Sequence, residues 1–308
     1  MDILFLQPKF QERIWGGTKL KEVFGYDIPS PHTGECWAIS ARLGNESIIK
    51  NSSLAGKTLL EVYEQYPELF GSLHPIHFPL LIKIIDASSD LSVQVHPNDD
   101  YAFDHGIDSG KSECWIVLAA EENASIVYGH TASTKEEFIQ AINAGVWNDL
   151  LVRKTVKAGD FINVPAGVIH ALGKGIMVLE SQQSSDTTYR LYDYDRLDDQ
   201  GQKRQLHIKE AIEVSMIPHV EEKVQVPFSY LGRNKITRYV SNKYFTVERW
   251  DVLESLTMVN ESYQLVSCIE GSGTINSQPF QKGDHFVITS LAKRLRLDGF
   301  ASLIVSRV

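Results

Sequence analysis

Almost every apolar run in this chain is short. The stretches at 80–85, 92–96, 114–119, 160–164 and 175–180 are rich in aliphatic and aromatic residues and are punctuated by Gly, Pro, Asn or Asp. Runs of that length read as strands, because a helix needs its periodicity sustained over ten or more residues. Many short strands at close spacing fold as a sandwich or barrel, so the chain is expected to be mainly β. Three segments carry helical signals instead. Thr58 and Glu61 form a capping box for a helix running to Tyr66. Ser133 and Glu136 start a second, in which Phe138, Ile139, Ile142, Val146 and Trp147 recur at helical spacing. A third is expected over 207–216. All three read as packing helices without chemistry.

The chain has 308 residues, the length of about two domains, and its 43% hydrophobic content is enough for a sizeable core. No stretch approaches the ~20 apolar residues of a membrane-spanning helix. The N-terminus has an acidic residue at Asp2 and lacks the basic start of a signal peptide, so a cytoplasmic location is expected and a membrane partner is not. The net charge of −9 and the absence of a basic stripe set nucleic acid aside. An acidic protein can still bind a phosphate through a local cluster of cations. The three cysteines, Cys36, Cys114 and Cys268, form no disulfide framework, and Cys36 and Cys114 stand beside tryptophans in strand-like runs, where buried thiols are expected.

Two internal echoes organise the chain. Glu35-Cys36-Trp37 resembles Glu113-Cys114-Trp115, and Lys157-Ala158-Gly159-Asp160-Phe161 resembles Gln281-Lys282-Gly283-Asp284-His285-Phe286. They suggest two related β units, over 1–217 and 218–308, joined near 218–227.

Three stretches carry candidate chemistry. In Gln94-Val95-His96-Pro97, Gln94 and His96 are two apart and so project from the same face of a strand, while Pro97 ends the ladder. An imidazole nitrogen and an amide oxygen are both usable ligands for a borderline divalent ion. In Lys111-Ser112-Glu113, the ammonium and the carboxylate share a face by the same alternation. In Gly159-Asp160 through Pro165-Ala166-Gly167 to His170, a tight corner returns a histidine to the interior. Each element alone is weak: a lone strand histidine is usually packed or on the surface. Of ten histidines only His96 and His170 have this context; His32, His74, His77, His105, His130, His207, His219 and His285 do not.

Together these residues resemble type I phosphomannose isomerases, in particular their short bacterial form. The matching stretches are Arg13-Ile14-Trp15-Gly16-Gly17, Gly34-Glu35-Cys36-Trp37, Leu81-Ile82-Lys83, 92–99, 111–115, 164–170 and 180–190, in the family's order. The resemblance implies two cupin-type (jelly-roll) β barrels with a few packing helices, the first metal-binding and the second without metal ligands. It implies one zinc ion per chain, with Gln94, His96, Glu113 and His170 as ligands; a water is the alternative to Gln94. It places the family's catalytic arginine on Arg190, with Lys111 as a second cation and Lys83 and Ser92 as further substrate-binding residues. Eleven residues on from Gly159 stands His170, whereas the same count from Gly283 reaches Arg294, so a second metal site is not expected.

The activity so implied is the interconversion of mannose 6-phosphate and fructose 6-phosphate, an aldose–ketose isomerisation through a cis-enediol. It needs a base, a means of stabilising enediolate charge and a grip on phosphate. Glu180 and Asp186 are acidic positions matching the family. For Glu180 a proton-transfer role stands beside the plainer one of an ion pair orienting Arg190 or Lys83. For Arg190 the plainer alternative is a salt bridge with Asp193 or Asp195, and for Lys111 a solvated strand edge. Two rival readings remain at this level: another metal-dependent cupin enzyme, such as an iron(II) oxygenase, and a non-catalytic sugar-phosphate-binding cupin. The oligomeric state is open.

Overall fold

Three antiparallel sheets carry most of the chain in the computed structural model, which describes residues 1–71, 75–198 and 200–308. His74 lies outside the described residues. The six-stranded sheet has the order Phe161–Val164, Glu113–Ala120, Ile176–Gln183, Leu80–Ala87, Thr33–Ile39, Lys9–Gly17. The five-stranded sheet has the order Tyr189–Tyr192, Val93–Val95, His170–Ala171, Ser125–His130, Leu151–Thr155. The expected mainly β fold of cupin type is what forms, as a sandwich of packed sheets rather than as closed barrels.

Leu80–Ala87 is buried along its whole length, because both faces of its sheet are covered. Ile82 and Ile84 point into a core shared with Leu265, Val287 and Ile304 of the C-terminal half. Ile85 and Ala87 point the other way, into a core shared with Ile126 and Tyr128 of the five-stranded sheet. By alternation Lys83 lies on this second face. A charged residue is thus held on the inner surface of the sandwich by the apolar residues around it.

The third sheet is built mainly from residues 228–307, and the long strands Gln264–Ile275 and Arg294–Arg307 pair along most of their length. Its interior is filled by Trp250, Val266, Phe286 and Leu303 among others. The strand Ile3–Gln7 also belongs to it, pairing with His285–Ile288, and Ile48–Ile49 adds beyond that.

Of the three expected helices, Leu59–Gln65 has the full capping box, with Thr58 and Glu61 bonded in both directions. The second is Lys135–Ala144, and its cap is Thr134 rather than Ser133. Glu137 decides this: its N–H donates to Thr134 Oγ1 at 3.2 Å, and its carboxylate accepts from the Ser133 N–H at 2.8 Å. Gly145 ends that helix in the left-handed region, so Trp147 begins a separate turn. The third spans Ile208–Val214. All three cysteines are free and buried. Among the described residues no helix is long and apolar enough to cross a membrane.

Candidate active site

The two facing sheets each deliver half of a buried polar cluster. In the five-stranded sheet Gln94 stands opposite His170 on one side and Arg190 on the other. His96 follows just beyond the strand end. In the six-stranded sheet Trp115, Glu180, Lys83 and Trp37 lie abreast on adjacent strands, with Glu113 two residues before Trp115.

His96, Glu113 and His170 meet between the sheets, each offering one donor atom, and these atoms lie within 4.8 Å of one another. All three side chains are buried. The His96 Nδ1–H donates to the Thr187 carbonyl at 2.9 Å, and the His170 Nδ1–H donates to the Val168 carbonyl at 2.8 Å. That fixes both rings with an Nε2 lone pair directed at Glu113, at 3.4 and 3.3 Å. Gln94 approaches His170 Nε2 at 3.4 Å.

The electrostatics match the geometry. Burial, reinforced by Lys111, pushes His96 down to about 3, and burial lowers His170 as well, so both rings are neutral at ordinary pH. Burial opposes ionisation of Glu113, but the Lys111 ammonium outweighs it and holds the carboxyl well below its usual range. Two neutral imidazoles and an ionised carboxylate form a donor set of the kind a zinc or similar divalent ion takes. Two further observations fit that use. Glu113 Oε1 accepts no hydrogen bond among the described residues. Glu113 Oε2 and His96 Nε2 converge on a cation already, the Lys111 ammonium, at 2.5 and 3.1 Å. Lys111 is therefore no solvated strand edge; it is 4% exposed.

A cavity of about 360 Å³ opens beside this cluster, lined by Arg13, Lys83, Lys111, Arg190 and Arg204 against Glu35, Glu180 and Asp186. Five cations against three carboxylates make it a local anion site inside an acidic protein. Arg190 donates through Nε to Ser92 Oγ at 3.2 Å and through Nη1 to the Gln205 carbonyl at 2.8 Å. Its Nη2 makes no hydrogen bond among the described residues. Asp193, an open candidate for pairing with Arg190, instead holds Arg204 through both oxygens, at 2.6 and 2.8 Å, and Arg196 at 2.6 Å. Asp195 pairs with Lys203. Glu180 accepts from the Trp115 indole at 2.9 Å and faces Lys83 at 3.8 Å. Burial first, and the Glu113 charge second, raise its carboxyl to about 7.

Residues 3–109 match the family described as phosphomannose isomerase type I, catalytic domain, and residues 235–308 match the mannose-6-phosphate isomerase cupin domain. A mannose-6-phosphate isomerase of Streptococcus mutans is 48% identical over 308 residues, covering 98% of this chain and 97% of its own. The crystal structure of the mannose 6-phosphate isomerase from Bacillus subtilis superposes with a TM-score of 0.97 at 43% identity, over 100% of both chains. This chain belongs to the type I phosphomannose isomerase family. A mannose 6-phosphate isomerase solved with bound zinc and yttrium shares the fold at a TM-score of 0.79 and 17% identity, covering 99% of each chain.

Among the residues lining the cavity, Arg13, Trp15, Glu35 and Arg204 were not singled out from the sequence. The first three lie in stretches that carried the family resemblance, but the strand holding Arg13 and Trp15 is irregular, so alternation could not orient them. Both Glu12 and Gly17 register with Thr33, and residues 13–16 bulge between them. Arg204 comes from a segment with no period at all.

Proposed function

We propose that this chain interconverts mannose 6-phosphate and fructose 6-phosphate through a cis-enediol, with one zinc ion held by His96, Glu113, His170 and Gln94. The observation that carries this reading is a neutral His–His–carboxylate cluster opening onto a cavity whose surplus charge suits a phosphate dianion. The cytoplasm is the expected setting, with a small sugar phosphate as the partner.

When bound, the zinc supplies fixed positive charge that polarises the oxygens on C1 and C2 and favours the enediolate. The remaining work falls to side chains of the chain. Arg190 and Arg204, each steadied by two bonds to protein acceptors and each keeping a free amino group, grip the phosphate beside Ser92. Lys83 and Lys111 face the sugar oxygens from the other wall. Glu180 is the base that moves the proton between C1 and C2; its Oε1 has no hydrogen-bond partner among the described residues.

The raised Glu180 pKa gives this assignment a pH signature. Below about 7 the carboxyl carries a proton and cannot accept another; above it the carboxylate is ready. kcat/KM is expected to climb through neutrality to a plateau, and Glu180→Gln should leave a low, flat profile over that range. A steep neutral limb surviving in Glu180→Gln would assign the base elsewhere.

The function itself is tested by a coupled assay of mannose 6-phosphate conversion on zinc-loaded protein. Steady turnover is expected. A folded, loaded protein that binds the sugar phosphate without converting it would favour a binding module, and oxygen consumption in its place would favour an oxygenase.

A further inference from the structure

We propose that Arg13 is a positioning residue: by taking the short ionic contact with Glu35, it keeps the Lys83 ammonium uncommitted and available to substrate. This rests on the isomerase reading above and adds a residue to it.

Lys83 is the anomaly that points there. It is 4% exposed, yet it makes no hydrogen bond among the described residues. Its nearest carboxylate oxygens are Glu35 Oε1 at 4.0 Å and Glu180 Oε1 at 3.8 Å, and its Nζ lies 4.9 Å from the centre of the Trp37 ring. An ammonium carries three donors, and buried donors are normally all used. Here they are withheld from acceptors on both sides and face the cavity instead.

What withholds them is a set of clamps on the two carboxylates. Glu35 Oε2 accepts from Arg13 Nη2 at 2.7 Å and from the Trp37 indole at 2.8 Å. Glu180 Oε2 accepts from the Trp115 indole. Arg13 is the only charged member of these clamps, and at 2.7 Å it holds Glu35 more closely than Lys83 does at 4.0 Å. Without it, Glu35 and Lys83 are two buried opposite charges about one ångström beyond contact, and closing to a direct pair at ~2.8 Å is the favoured outcome.

The chain is shaped to put Arg13 in that place. The bulge at 13–16 turns it inward, and the Arg13 N–H bonds to the His32 carbonyl at 2.8 Å. Gly34 leaves the room: a Cβ there would stand 2.8 Å from Arg13 Cβ and 2.6 Å from the Trp15 ring. Gly16 does the same, since its Cβ would meet the His32 carbonyl oxygen at 2.3 Å. The two glycine-bearing motifs are therefore one device for seating a guanidinium over Glu35.

The test is a double-mutant cycle in the zinc-loaded protein. Arg13→Met is expected to lower kcat roughly 10- to 100-fold with a much smaller change in KM, as a misplaced group does. Zinc content should match the parent, and Arg13→Lys should recover most of the loss. In a Lys83→Met background, adding Arg13→Met should cost nothing further, because Arg13 acts through Lys83. A crystal structure of Arg13→Met should show the Lys83–Glu35 separation contracted from 4.0 Å to hydrogen-bonding distance. Losses that multiply, a rise in KM at constant kcat, or an unchanged separation would each overturn the proposal while leaving the isomerase reading intact. A loaded parent without turnover would remove both.

Discussion

Glu113→Ala is expected to lower turnover by at least ~10³-fold, because it removes the only anionic ligand of the proposed zinc cluster, and metal catalysis of this kind supplies several kcal/mol. The same substitution should destabilise the fold. Lys111 is buried and bonded to Glu113 at 2.5 Å. Removing the partner of a buried ion pair costs about 3–5 kcal/mol, far more than the pair itself contributes. Chelation of the parent protein should behave differently. Turnover should vanish and return with added zinc, but the melting temperature should fall less than in Glu113→Ala, since Lys111 still closes on Glu113 and His96. Thermal melts and assays of the parent, the chelated parent and the variant separate the two effects. Full activity after exhaustive chelation would defeat the metal-dependent mechanism.

Arg190→Met should be the second large loss. Its guanidinium is oriented by Ser92 and Gln205 and presents a free amino group beside Arg204. Truncating one partner of a desolvated charge pair costs about 3–4 kcal/mol, so kcat/KM should fall ~10²–10³-fold. Folding should be nearly unaffected, because Asp193 is satisfied by Arg196 and Arg204 rather than by Arg190. Arg190→Lys should rescue poorly, since a point charge cannot hold Ser92, Gln205 and a substrate oxygen at once. Near-parental kcat/KM in Arg190→Met would return Arg190 to a structural role.

Strand alternation made much of this arrangement legible in the sequence. Gln94 with His96, and Lys111 with Glu113, do meet at one cluster, because each pair sits at the end of a regular strand. His170 could be anticipated from the corner at Pro165-Ala166-Gly167. What alternation could not give was the wall carrying Arg13 and Trp15, where four bulged residues break the period of two. Nor could it give Arg204, which Asp193 grips from just beyond the end of the strand Tyr189–Tyr192. The helix cap at Thr134 was displaced by one residue because Glu137 serves two partners. His285 lacked sequence context for good reason: it is a core residue bonded to Tyr26 and Ser267.

The pairing of Ile3–Gln7 with His285–Ile288 bears on how this molecule comes into being. Ile3–Gln7 must wait for a strand made far later in the chain, and until then the edge it turns toward His285–Ile288 has no mate. This sheet can therefore close only once residues 285–288 have been made, well after the strands of the candidate active site. A shortened version ending near residue 217 would carry Ile3, Leu4 and Leu6 as an open, adhesive ribbon.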